Sequence, residues 1–349
     1  MKAVLRLCYY CRTIDAFVTN LRQLVIINRP NDGNSDWLTF YRDTVKPFWQ
    51  RVEHRSLNSF DNTELHWCFY KVSEQAPLIV ISPGRIEATV KYQELVWELA
   101  QAGISCAVLD HRGQGESQRL SANPQQGHVH RFRDFVDDFG EFEAQLSAVF
   151  PRSQKRWLLA HSMGGAIATL YLKDHPGQFD ELILSSPMFS INTAGVPVAV
   201  AKAIAAAGSW LNSTLMPNRP WYFFGMGDYA PLSFEKNDLT HSRNRYRVFR
   251  EVYEQQPTVQ LGGPTFNWLH QALMACEQTT ASAMDTGCAV TLFQAGADTV
   301  VSAAGQNRFA EQNARVEKIV ITGARHELLM EADAYRQPVV DKLLTITGE

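Results

Sequence analysis

Short, uninterrupted apolar runs alternate along this chain with stretches in which apolar residues recur every three or four positions. The runs are Leu78 to Ile81, Cys106 to Leu109, Arg156 to Ala160 and Leu182 to Leu184. Tyr92, Leu95, Val96 and Leu99 form one helical stripe; Phe135, Phe139, Phe142, Leu146 and Val149 form another. A strand without polar alternation has no solvent face, so the runs predict strands covered on both sides. The stripes predict the helices that cover them. The expected fold class is therefore α/β, a mostly parallel central sheet flanked by helices. The alternation stops after Ser185-Ser186-Pro187. From Met188 to about Pro264 the chain is rich in alanine, aromatics and turn residues, and alternation then resumes. This predicts an inserted helical cap over 188–264, a core in two parts (36–187 and 265–349), and a separate N-terminal segment, 1–35.

That first segment ends in a turn-rich stretch, Asn31-Asp32-Gly33-Asn34-Ser35. Before it, Val4, Leu5, Cys8, Cys11, Ile14, Val18, Leu21 and Val25 recur at helical spacing, interleaved with Lys2, Arg6, Arg12 and Arg22. The pattern suits a basic amphipathic helix lying on a membrane surface, or an ordinary packed helix. The charges rule out the run of roughly 20 apolar residues that a spanning helix needs. The apolar stretch Val196 to Ala207 is only about half that length.

Composition narrows the classes further. A chain of 349 residues with net charge -3 lacks the basic footprint of a nucleic-acid binder. Cysteines at 8, 11, 68, 106, 276 and 288 are scattered, and Cys8 and Cys11 lack a second ligand pair. Free thiols and a reducing compartment are expected. His128 and His130 alternate as ligands on a strand do, but no further cluster supports them, so neither a metal nor another cofactor is expected. Asp110 to Ser117 is glycine-rich yet has no P-loop lysine, and reads as a tight loop leaving a strand.

The chemistry centres on Ala160-His161-Ser162-Met163-Gly164-Gly165. A strand before and a small-residue helix after put Ser162 on a sharp turn, where its hydroxyl stands above the sheet edge as a nucleophile. Two more strands are expected, Val290 to Phe293 and Val316 to Ile321, both read as buried. One runs into Gly296-Ala297-Asp298, the other into Gly323-Ala324-Arg325-His326. Loops after parallel strands share one edge of the sheet, so serine, acid and base converge. His326 is the expected base and Asp298 its orienting acid, with Asp285 as the rival acid. The loop Pro83-Gly84-Arg85-Ile86-Glu87 closes a strand where an oxyanion-hole donor is needed; Arg85 and Met163 are the expected main-chain N–H donors. Among the cap aromatics, Trp221, Phe223 and Phe224 are candidates to line an acyl pocket, the bland reading being the cap's own small core.

These motifs resemble the monoacylglycerol lipase and lysophospholipase branch of the α/β-hydrolases. The likeness extends, toward bacterial lysophospholipases, to Asp110-His111-Arg112-Gly113-Gln114-Gly115, Thr240-His241-Ser242-Arg243 and Gly262-Gly263-Pro264-Thr265. It covers about residues 40–345. The resemblance implies an α/β-hydrolase fold and a serine carboxylester hydrolase that cleaves the acyl ester of lysophospholipids or monoacylglycerols. It also implies a lipid substrate and a peripheral place on the cytoplasmic face of a bacterial inner membrane. Two other readings are an acyltransferase on the same triad and a catalytically silent binding protein. For a phosphate head, Arg243 is the candidate contact, with Arg245 and Arg247. A strand would put the three on one face, whereas a helix would splay them.

Overall fold

The computed structural model describes residues 29–152 and 154–345. The expected N-terminal helix and the Cys8–Cys11 pair lie outside the described residues. One sheet holds eight strands: β1 (Glu53–Asn58), β2 (Glu64–Tyr70), β3 (Leu78–Ser82), β4 (Ser105–Leu109), β5 (Arg156–His161), β6 (Glu181–Ser185), β7 (Ala289–Ala295) and β8 (Val316–Ile321). Their order is β1-β2-β4-β3-β5-β6-β7-β8. Only β1 with β2 and β2 with β4 pair antiparallel; the rest is parallel. Each apolar run of the sequence is a strand. One expectation needs correction: β8 is an edge strand, and of its residues only Ile321 is buried.

The helices named below are α1 (Asp36–Phe40), α2 (Lys46–Trp49), α3 (Gln93–Gln101), α4 (Phe132–Val149), α5 (Met163–Asp174), α6 (Val198–Leu215), α7 (Arg243–Gln255), α8 (Phe266–Thr280), α9 (Ala303–Gln312) and α10 (Asp333–Thr345). Strand alternation sends Leu78 and Val80 of β3 into one core layer and Ile79 and Ile81 into the other. The first layer is closed by the α4 stripe Phe135, Phe139, Phe142 and Leu146; the second by Leu95, Val96 and Leu99 of α3. Both stripes are the ones the periodicity picked out.

The chain between β6 and β7 carries α6, α7 and α8. Helix α8 buries Trp268, Ala272, Ala275 and Cys276 in the first core layer. Helix α7 docks on the core through a charge: fully buried Arg245 donates to both Glu94 oxygens at 2.7 and 2.8 Å and to Asp333 at 2.7 Å. Burial opposes ionisation of Glu94, but Arg245 and Arg336 hold its carboxyl down to about 2. Arg245→Ala should therefore cost roughly 3–5 kcal/mol, because it takes from buried Glu94 both hydrogen bonds to its cation, whereas Asp333 keeps Arg29 at 2.7 Å. The sign with pH follows from the depressed value. Wild-type stability from Glu94 is present above its unfolded pKa and is lost as pH falls toward 2, so the deficit of the variant should shrink over that window. Urea unfolding of both proteins at neutral and at acid pH checks this; an equal deficit at both would exclude Glu94 as the cause.

Candidate active site

Strand β5 ends at His161 and helix α5 begins at Met163, leaving Ser162 alone on the turn with φ 50° and ψ -116°. That left-handed conformation is costly for serine and is sustained by the tight packing around it. The space is too small for larger neighbours. A Cβ added at Gly164 would lie 2.1 Å from the carbonyl oxygen of Ser82, and one at Gly165 would lie 2.7 Å from the Pro187 ring. The small residues of the elbow thus let helix and sheet backbones approach.

The structure brings the three sequence-predicted residues into one hydrogen-bonded chain. The Ser162 hydroxyl lies 3.0 Å from Nε2 of His326, and Nδ1 of His326 lies 2.7 Å from Oδ2 of Asp298. The other oxygen of Asp298 accepts the main-chain N–H of Val300 at 2.8 Å and of Val301 at 3.0 Å. Burial alone would raise the Asp298 carboxyl; His326 and those two N–H donors hold it below the ordinary range. The resulting carboxylate keeps the proton on Nδ1, which leaves Nε2 as a lone pair facing the serine. Ser162 and His326 are both buried. The rival acid, Asp285, is exposed and pairs with Arg315.

Two main-chain donors stand beside this chain. The N–H of Gly84 is taken by the Glu87 carboxylate. Those of Arg85 and Met163 have no partner among the described residues. Gln114 fixes the loop by donating to the carbonyls of Gly84 at 2.7 Å and Glu87 at 3.2 Å. Space is tight at Gly84, where an added Cβ would fall 3.0 Å from the His161 ring and 3.2 Å from Cβ of Ser162. The Arg85 side chain turns away, donating to the Gly262 carbonyl and lying 5.0 Å over the Trp268 ring. Burial pushes its pKa down to about 10, and its Nε has no partner.

A buried ion cluster beneath the site escaped sequence reading. Lys91 donates to Glu87 and to Glu327, both at 2.6 Å, and Tyr92 donates to Glu87 at 2.8 Å. Glu87 is in the loop that carries the Arg85 N–H and Glu327 follows His326, so Lys91 ties these two segments together. Burial disfavours the Glu87 carboxylate, yet Lys91 and His161 draw its pKa down to about 2. His161 lies between, its ring 5.0 Å from that of His326 and its Nδ1 3.0 Å from the Ser185 carbonyl. The i,i+4 spacing of Glu87 and Lys91 was the one available signal.

The substrate-contact candidates are not drawn into the hydrogen-bonded chain. Trp221 and Phe223 are half-buried, Phe224 is exposed, and Phe223 and Phe224 pack on Phe266 at 5.2 and 4.9 Å. Residues 243–255 form a helix, which splays the arginines. Arg243 is exposed and paired with Glu235, Arg247 is exposed and paired with Glu251, and Arg245 is interior. His128 bonds Thr265 and packs edge-on against His130. The four described cysteines are buried and free. No helix among the described residues is long and apolar enough to cross a membrane.

Comparison with known proteins adds independent findings. The family described as serine aminopeptidase, S33 matches residues 73–333. Lysophospholipase L2 of Escherichia coli strain K12 is 39% identical over 316 residues, spanning 86% of this chain and 91% of that protein. The probable lysophospholipase L2 of Haemophilus influenzae is 31% identical over 298 residues, spanning 84% and 91%. A soluble variant of monoglyceride lipase from Saccharomyces cerevisiae superposes with a TM-score of 0.64 at 18% identity, covering 85% of this chain and 95% of that one. At that identity the superposition speaks for the fold, the α/β-hydrolase arrangement of sheet and helices.

Proposed function

This chain belongs to the serine aminopeptidase S33 family, as a carboxylic ester hydrolase of the α/β-hydrolase fold, and on that premise we propose that it cleaves the acyl ester of lysophospholipids or monoacylglycerols through an acyl-enzyme on Ser162. The observation that carries the reading is the chain Ser162–His326–Asp298 beside two unpartnered N–H groups. The Ser162 oxygen attacks the ester carbonyl as its proton passes to Nε2 of His326. The N–H groups of Arg85 and Met163 receive the negative charge on the carbonyl oxygen, the latter at the positive end of α5. His326 returns the proton to the departing alcohol. It then takes a proton from the water that attacks the acyl-enzyme, and hands it to the Ser162 oxygen as the fatty acid leaves.

Residues 188–264 serve in this reading as the cap, and an apolar stripe on it supports peripheral membrane contact. Val200, Ile204, Leu211 and Leu215 lie on one side of α6 and are exposed, next to Trp210 at 68% exposure. Such a face, with an aromatic at its rim, suits the interface of a bilayer. The free thiols of the described cysteines favour the cytoplasmic side. Trp210→Asp with Leu215→Asp should lower binding to phospholipid vesicles while sparing turnover of a short soluble ester. Unchanged vesicle binding would remove α6 from the membrane contact.

A substrate panel tests the chemistry. Each buried methylene contributes roughly 0.8 kcal/mol, so four further carbons should add about 3 kcal/mol to transition-state binding if an acyl channel accepts them. Catalytic efficiency measured below the micelle threshold, against acyl length at fixed headgroup, should rise toward long chains for lysophospholipids and monoacylglycerols. A preference for two- to four-carbon esters would overturn the lipid assignment in favour of a general esterase.

A further inference from the structure

Away from the catalytic chain, the outer hairpin and the loop leaving β4 bring three metal-ligating groups to one point. Nδ1 of His54 lies 3.0 Å from Nε2 of His66, which lies 3.2 Å from Oε2 of Glu116. All three atoms fall within 4.8 Å of one another. Strand register produces this. His54 on β1 stands opposite Cys68, and His66 on β2 stands opposite Ser56, so the two histidines are diagonal neighbours on one face of the hairpin.

Neutral groups do not satisfy one another there. Fully buried Asp110 faces Nδ1 of His66 at 2.9 Å, so that nitrogen carries the ring proton and Nε2 presents a lone pair. This lone pair then meets the carboxylate of Glu116, a second acceptor. A proton from His54 can satisfy Nε2 but leaves the half-exposed Glu116 carboxylate to solvent. A cation among the three atoms satisfies all of them at once, as does the competing occupant, a second proton on His66.

The geometry points the same way. Two ligand atoms on a tetrahedral zinc ion sit roughly 3.3 Å apart, given bonds of about 2.0–2.1 Å. The separations of 3.0 Å, His54 to His66, and 3.2 Å, His66 to Glu116, need to open by only a few tenths of an ångström. Asp110 supplies the carboxylate that a ligating histidine takes on its far nitrogen. It is itself held by the N–H groups of Thr89 at 2.6 Å and Glu116 at 2.9 Å. A cavity of about 310 Å³, lined in part by Trp49, His54, Val90 and Glu116, gives access and room for a water as fourth ligand.

We propose that His54, His66 and Glu116 bind one borderline divalent cation, zinc above all, with Asp110 orienting His66. The expectation of no metal came from residue spacing, and no sequence spacing joins a hairpin histidine pair to a glutamate on a distant loop. The ion would tie β1 and β2 to the loop 110–117, whose Gln114 holds the carbonyls of Gly84 and Glu87 beside the oxyanion donors. Binding to the folded chain alone then stabilises it with the logarithm of free metal above the dissociation constant.

The full chain, stripped with a chelator and titrated calorimetrically with Zn²⁺ alone near neutral pH, should take up one equivalent and melt at a higher temperature. His54→Ala and Glu116→Gln should each weaken that uptake by at least ~100-fold, beyond the effect typical of outer-shell changes. His130→Ala should retain it. Co²⁺ loading gives a second readout, the visible absorption of a four-coordinate site, lost in the same two variants. No stoichiometric uptake, the result if a shared proton alone holds the cluster, would overturn the proposal. So would an equivalent that survives both substitutions.

Discussion

Ser162→Ala is expected to lower turnover by roughly 10⁶ while leaving the fold intact, the scale found when a triad nucleophile is removed. The size follows from what the hydroxyl does: without it no acyl-enzyme forms, and only binding and the Arg85 and Met163 donors remain to assist water. The fold should survive because among the described residues the Ser162 hydroxyl bonds only to His326, while its main-chain N–H and carbonyl stay tied to Ser185, Gly165 and Met188. The variant should also fail to label with a fluorophosphonate probe that labels wild type. Circular dichroism controls for misfolding. A folded variant with near-wild-type turnover would remove Ser162 from the chemistry, and with it the whole assignment of the site.

What the sequence disclosed and what it hid divide along a physical line. Strands β3, β4, β5 and β6 were legible because each is buried and therefore uninterruptedly apolar. Strand β1, Glu-His-Arg-Ser-Leu-Asn, buries only Leu57 and carries no such mark. Its side chains answer to a partner strand and not to a core. The convergence of Ser162, Asp298 and His326 was legible because parallel connectivity alone puts loops after strands on one edge. The clamp Glu87–Lys91–Glu327 was not, since Lys91 and Glu327 are 236 positions apart and nothing local ties them. The three arginines at 243, 245 and 247 show the same limit. Local pattern left strand and helix open, and the difference decided which arginine meets solvent and which meets Glu94. Periodicity reports what a segment buries; it is silent on which charge finds which.

Asp298→Asn should cost about 10⁴ in turnover, nearly all of it through the tautomer of His326. The local geometry makes the direction specific. One side-chain oxygen of Asp298 is pinned by the N–H groups of Val300 and Val301, so an asparagine placed there keeps its carbonyl oxygen on those donors. Its amide nitrogen then faces Nδ1 of His326, at the position where the Asp298 oxygen lies 2.7 Å away. Two donors cannot share that contact, so the ring must move its proton to Nε2, and Nε2 can no longer accept from Ser162. Labelling of Ser162 by a fluorophosphonate should slow in step with turnover, because the lost function is deprotonation of the serine and not substrate binding. Asp285→Asn should leave both rates near wild type, since Asp285 is exposed and pairs with Arg315 instead of a histidine. Full activity in the Asp298 variant together with a large loss in the Asp285 variant would transfer the acid's role, and the hydrogen-bonded chain at Ser162 would then have to be redrawn in solution.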